Sequence, residues 1–570
     1  MATMNLGKVA FSWKGAWSSA TTYAEQDVVS ADGSTYVCIA SAGSTNVDPT
    51  TVNNDWELFT SGFTGAAAGN GSIVYSDGTN LQTLAAGTAG QILTIDGATG
   101  LPIWTDAPHR SSVRVKNLPR RANASYRKAM VLMEDGFLKG WGHGGHYQLG
   151  QGANTNDKSY PTRVAFPAGF SGVKPAPPEW WKDTFYQDYA YCSMCIDNDG
   201  NLWTWGQNSY GNLGNGGTGR NDLPTNESLD ANNSLYGKTV DYLAVPNGTG
   251  YSFTGTWAVC TDGTVHYCGY NGHGQSGQGN TNNTYNFVQF ATLFYPQVQV
   301  VAGSINYPFA VMLDDQGVLR FIGYSGYTQN GTNTTNASIP QVINLGTNAD
   351  GDPCVCAEIM EVNSRGVWIK DTLGDIYNWG HDSTNGWLGR SASGPHTVGL
   401  VMSHTTADIV EVVCNGDDAG YAMSSYMRAA DGTIYSAGYN GHGQLGNGTT
   451  TARNVYAPVL NIPTNITKMI AGGSSGYPYW AALTADGKVY TLGYNGNGAL
   501  ANGTTSAIST PWEVPIQQTV VDIAPTGYSS EQGLLYLLED GSLMSSGYGG
   551  NSQQPDDDAE SFYVPMNVLF

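Results

Sequence analysis

The sequence predicts an all-β fold, a β-propeller of eight four-stranded blades behind a small all-β N-terminal module. Three observations lead there. One unit centred on Asp-Gly recurs along most of the chain. At 570 residues the chain exceeds the usual single core of about 50 to 250 residues. With 75 Gly, 34 Tyr and 15 Trp against 12% charged residues, the composition suits turns and strands better than helices.

The repeat is plainest where Asp431-Gly432 runs into YNGHGQLGNGTTT and Asp486-Gly487 runs into YNGNGALANGTTS. Further anchors stand at Asp135-Gly136, Asp199-Gly200, Asp262-Gly263 and Asp540-Gly541, with degenerate ones at Gln316-Gly317 and Gly374-Asp375. Each Asp-Gly separates two apolar runs, such as Tyr479 to Leu483 and Lys488 to Leu492, and so marks a hairpin in which Gly supplies the positive φ. Ile466 to Ala471 reads as an inner strand before the hairpin. Pro458 to Ile462, and in the last unit Tyr563 to Val568, read as proline-flanked outer strands behind the glycine-rich loop. A lone four-stranded blade cannot bury both faces, whereas a ring of blades can. An open solenoid would need shorter coils.

At these residues the chain resembles the regulator of chromosome condensation repeat family, with its Asp-Gly hairpin, Trp-Gly pair and loop ending in Gln-Leu-Gly. Trp141-Gly142 with Gln148-Leu149-Gly150, Trp205-Gly206 with Asn212-Leu213-Gly214, and Gln444-Leu445-Gly446 carry the resemblance, which covers residues 110 to 570. The family usually closes seven blades, which makes seven the alternative count. Its exchange and chromatin roles are not expected in so acidic a chain.

Residues 1 to 60 hold Trp13, Trp17, Tyr23, Tyr36 and Trp56 and resemble the small carbohydrate-binding module of chitinases and bacteriophage tail proteins. Trp17 and Tyr36 are its candidate glycan contacts, the alternative being that these rings form the module's core. Residues 61 to 109 hold a glycine-rich connector at 62 to 69 and the string GTAGQILTIDGATGLPIW, which resembles a repeat of phage tail fibres. These resemblances imply a virion tail-fibre or tail-tip protein that recognises a host surface, binding other tail proteins through the N-terminal region and a bacterial surface polysaccharide or outer-membrane receptor through the propeller. A homo-oligomer is expected, a trimer among the options. A polysaccharide depolymerase and a purely structural tail component are the alternatives.

Lys and Arg number 24 against 46 Asp and Glu, giving a net charge of −22 that repels phosphate backbones and anionic lipid. Nucleic acid is therefore not expected as a partner. The N-terminus lacks a stretch of signal-peptide length, so synthesis in the cytoplasm is expected. Cys192 and Cys195 should point to opposite faces of one strand, which is wrong for a shared zinc ion. His143, His146, His273 and His442 lie in repeated loops, and Asp556, Asp557 and Asp558 read as a solvated run. No metal, cofactor or catalytic set is expected, although carboxylates paired only in space are invisible to sequence. The candidate ligand-binding set is instead Tyr270, Asn271, Tyr439, Asn440, Tyr494, Asn495 and Tyr548, flat rings beside neutral amides in equivalent loops. The other reading has the tyrosines packing between blades and the asparagines holding turns.

Overall fold

The computed structural model describes residues 12–60, the strands within 73–106, and residues 124–568, apart from short stretches in each. The run Asp556 to Asp558 and the connector at 62 to 69 lie outside the described residues. The chain divides into two compact units, Met1–Ser111 and Ser112–Phe570.

The first unit holds a four-stranded sheet of Ser12–Ala16, Asp27–Ala31, Ser34–Cys38 and Trp56–Thr60, whose first two strands are parallel. Tyr23, Val29, Cys38 and Trp56 form its core, and the rings of Tyr23 and Trp56 meet edge to face at 5.2 Å. Two separate hairpins follow, Ile73–Ser76 with Leu81–Leu84 and Gln91–Ile95 with Pro102–Asp106.

The second unit is eight consecutive four-stranded antiparallel sheets, each in chain order from an inner to an outer strand. Their inner strands are Ala124–Ser125, Phe185–Gln187, Val240–Ala244, Gln297–Ala302, Cys356–Val362, Ile409–Asn415, Ile466–Gly472 and Val520–Tyr528. We number the blades 1 to 8 in that order. Blade 1 closes on blade 8: Ala129, Val131, Met133 and Trp141 share one buried core with Ala524, Leu535, Leu537 and Leu543. Among the described strands none is exchanged to make this closure, since every blade takes its four from one contiguous segment.

The eight hairpins fall at the eight anchors. Each is a three-residue loop rather than a two-residue turn. In blade 7, Thr484 N–H donates to Lys488 O and Gly487 N–H to Thr484 O, leaving 485–487 as the loop with Gly487 at φ 78°. A type I turn closed by a left-handed residue has this form, which explains why Gly stands last. The outer strand of blade 6 is Arg453–Pro458, ending where the sequence reading began it. Proline is the fourth residue of five outer strands, Pro161, Pro224, Pro340, Pro511 and Pro565. A residue without N–H there blunts an exposed edge.

Neighbouring blades are tied twice. Near the start of the inner strands of blades 3 to 8 a bulge separates the first and third residues, for example Ile409 and Glu411. In blades 3, 4 and 7 the third side chain spans to the next inner strand: Tyr242 Oη accepts Val300 N–H at 2.9 Å, Gln299 exchanges two bonds of 2.8 Å with the Ile359 backbone, and Lys468 pairs with Asp522. At the rim, backbone N–H groups of a glycine-rich loop reach the next outer strand, as Gly216 to Tyr285 O at 2.9 Å and Gly448 to Ser509 O at 3.0 Å.

In blades 1, 3, 4, 6, 7 and 8 the residue following the outer strand donates its N–H to the third strand and is a buried apolar side chain: Val164, Phe290, Ile343, Val459, Val514 and Val568. Blade 2 places Glu227 at this register, 2% exposed. Cys192 and Cys195 lie in different inter-blade cores, on opposite faces of blade 2.

Candidate functional site: the aromatic loop face

Strand order puts the loops between third and outer strands on the same face as those between inner and second strands; the hairpins and blade crossings lie on the other. We call the first the loop face. Its backbone is held by side chains buried inside the loops. Asn440 Oδ1 accepts Leu445 N–H at 2.9 Å, while its Nδ2 donates to Thr449 O and Thr451 O at 3.0 and 2.9 Å. Asn271 does the same with Ser276, Asn280 and Asn282, and Asn495 with Leu500, Thr504 and Ser506. All three asparagines are at most 1% exposed. Their amides are committed to the loop, because those backbone groups have no strand to bond.

A second clamp explains the glutamine of the repeat. Gln148, Gln275, Gln329 and Gln444 each accept, through Oε1, the N–H of the residue two places earlier, at 2.8 to 3.1 Å. That residue is His146, His273, Tyr327 or His442, so the buried amide fixes a ring-bearing residue on the face. The tyrosines Tyr270, Tyr439, Tyr494 and Tyr548 are half-exposed. In Tyr270, Tyr324, Tyr439 and Tyr494 the ring lies back over the glycine two residues on; a Cβ at Gly272, Gly326, Gly441 or Gly496 would sit about 2 Å from the hydroxyl.

Sequence reasoning missed part of this set. Tyr307 and Tyr477 come from the other loops of the same face and meet Tyr324 and Tyr494 at 4.8 and 4.9 Å between centroids. Their signal is a Tyr-Pro pair ahead of the second strand in blades 4 and 7; the proline carbonyl accepts Tyr324 N–H or Tyr494 N–H. Arg365, 8% exposed, lies with Cζ 4.2 Å over the Tyr327 ring. Burial pushes the hydroxyls of Tyr270, Tyr324 and Tyr494 up, and pushes His273 and His381 down, so these groups are uncharged at neutral pH. In the N-terminal unit, Trp17 and Tyr36 are half-buried against the core, while Trp13 is 54% exposed.

Residues 199–235 and 431–476 match the model of the regulator of chromosome condensation (RCC1) repeat. These two stretches, in blade 2 and across blades 6 and 7, are similar to RCC1 repeats. The chain is 27% identical to the bovine (Bos taurus) secretion-regulating guanine nucleotide exchange factor over 57% of its own length and 65% of that protein. It is 32% identical to the zebrafish (Danio rerio) RCC2 homolog over 24% of its length and 26% of the other, and 25% identical to human probable E3 ubiquitin-protein ligase HERC4 over 38% and 19%. It thus spans less than a fifth of the HERC4 proteins it matches. Among solved structures, human WBSCR16 is 16% identical with a TM-score of 0.48, covering 70% of this chain and 98% of that one. Yeast Prp20p is 16% identical with a TM-score of 0.47, covering 74% and 92%.

These relatives overturn the expected virion function. The relatives named above are eukaryotic and bear the names of an exchange factor, an RCC2 homolog and a probable ubiquitin ligase. The tail-fibre role, the virion location, and the tail-protein and polysaccharide partners are withdrawn with it. That expectation rested on resemblances confined to residues 5 to 107, outside both stretches matched by the repeat model.

Proposed function

We propose that the propeller is a protein-binding ring that works through its loop face, with a small GTP-binding protein as partner. The observation that carries this is the match to the bovine exchange factor, which extends over more than half of the chain and so over several blades. The geometry supports a binding role. Tyrosine rings supply large contact area at low conformational cost, and rings already fixed by buried Gln and Asn clamps lose little freedom on binding. Exchange of this kind needs no covalent step. A platform that binds the nucleotide-free partner more tightly than the loaded one shifts the partner toward release.

The test is nucleotide release. The full chain is mixed with a panel of small GTP-binding proteins carrying fluorescent GDP. Acceleration of about tenfold or more for one member, reduced by Tyr324→Leu, is the expected result. Unchanged release across the panel would refute the exchange-factor reading.

A further inference from the structure

We infer that the loop face over blades 3 to 5 takes an extended lysine- and arginine-rich segment of a protein partner, its cationic side chains lying on tyrosine rings. This rests on the loop face being the binding face, and is independent of whether the partner binds GTP.

The rings there form an unbroken path. Tyr270 meets His273 at 5.7 Å, His273 meets Tyr324 at 4.9 Å, Tyr324 meets Tyr307 at 4.8 Å, and Tyr307 meets Tyr327 at 5.1 Å. Tyr327 then meets His381 of blade 5 at 5.6 Å. All six rings are half-buried, so each keeps part of its surface in solvent.

Two features favour a cation over other occupants. The face already holds guanidinium groups of its own on tyrosine: Arg365 over Tyr327 at 4.2 Å, and Arg220 over Tyr147 at 4.3 Å. A tyrosine face attracts a cation through its quadrupole, and a lysine or arginine stem covers apolar ring surface while its head stays wet. The second feature is the net charge of −22, whose field gathers basic segments and disfavours acidic ones. His273 and His381, held neutral by burial, add no charge, while the Arg365 guanidinium already covers one side of Tyr327, so a partner cation is directed to the Tyr270 and Tyr324 end of the path. The path crosses three blades whose mutual positions are fixed by the inner-strand and rim ties, so it presents a row of sites to one extended segment.

The experiment titrates the full chain with a twelve-residue peptide alternating lysine and serine, and with its glutamate counterpart, by calorimetry at low and moderate salt. The lysine peptide should bind and the glutamate peptide should not. Tyr324→Leu with Tyr327→Leu should weaken binding at least about fivefold, while the paired Phe changes should leave it within about twofold, as expected for a ring-face contact. Full-strength binding by the double Leu chain would assign the affinity to overall charge and overturn the inference, as would equal binding of the glutamate peptide. Should the double Leu chain melt early, hydrogen exchange of the unaltered chain decides: the lysine peptide should protect residues 307–328, and protection confined to other segments would overturn the inference. Nucleotide release that fails while this protection is seen sinks only the GTP-binding partner; the converse sinks only the basic segment.

Discussion

Glu227 offers a quantitative test of the blade register. It occupies a position that is a buried apolar side chain in six other blades, and its carboxyl accepts Thr204 Oγ–H at 3.0 Å with no ion-pair partner among the described residues. Burial raises its pKa from 4.5 to about 7; the Thr204 bond lowers it in part and the nearby Asp230 adds to the rise. That shift, at about 1.4 kcal/mol per unit, makes the ionised form about 3 kcal/mol less compatible with folding. The folded-state value lies above the unfolded one, so the group's contribution is fully present below pH 4.5 and is lost as pH rises through 7. Glu227→Gln keeps the size and removes the titration. Denaturation midpoints of the two chains should therefore nearly coincide at pH 5 and diverge by pH 8, where the Gln chain should be more stable by about 2 to 3 kcal/mol. His266, buried and pushed down to about 4, destabilises on the acid side, but it is common to both chains and cancels in the comparison. A difference that does not change between pH 5 and pH 8 would refute the assignment of Glu227 to the apolar register.

Four further outcomes follow from the loops and ties. Gly446→Ala puts a Cβ 2.7 Å from Val459 Cγ1 at φ 63° and should cost about 1 to 3 kcal/mol, read as a lower melting temperature. The equivalent blade 7 residue is already Ala501 at φ 55°, so Ala501→Gly should change stability by less than about 1 kcal/mol, relief of strain offsetting the lost methyl. Asn440→Ala strips the bonds to Leu445, Thr449 and Thr451 and should cost about 2 to 4 kcal/mol, with faster amide exchange confined at first to residues 440–451. Lys468→Ala leaves Asp522, whose pKa burial raises, without its cation and should cost about 3 to 5 kcal/mol; Lys468→Met with Asp522→Leu should recover much of that loss.

The ring was legible because its signals are local. Each Asp-Gly anchor carries its own hairpin, so even the degenerate Gln316-Gly317 and Gly374-Asp375 mark blades. The face was only half legible. Tyr270 and Tyr439 could be placed by loop equivalence, but Tyr307 and Arg365 reach it from loops that approach it only once the blade is folded. Asn271 and Asn440 are equally polar in sequence whether they face solvent or clamp a turn, and their burial is what separates the two. The bulges that send Tyr242, Gln299 and Lys468 across to the next blade leave no mark, since a shift of one residue in pairing changes no residue type. Glu227 was legible and overlooked: aligning the repeats on their outer strands sets it against Val164 and Val459. The functional expectation failed because short resemblances at one end were given more weight than the repeats that make up most of the chain.

The loop face, its clamps and its continuous path of rings all presuppose a closed ring of eight blades. The most direct test is an experimental structure of the full chain at side-chain resolution. It should show eight four-stranded blades with Val131 and Trp141 of blade 1 sharing a core with Leu535 and Leu537 of blade 8. A ring closed by seven blades with the remaining unit outside it, or a gap between the first and last blades, would contradict the account.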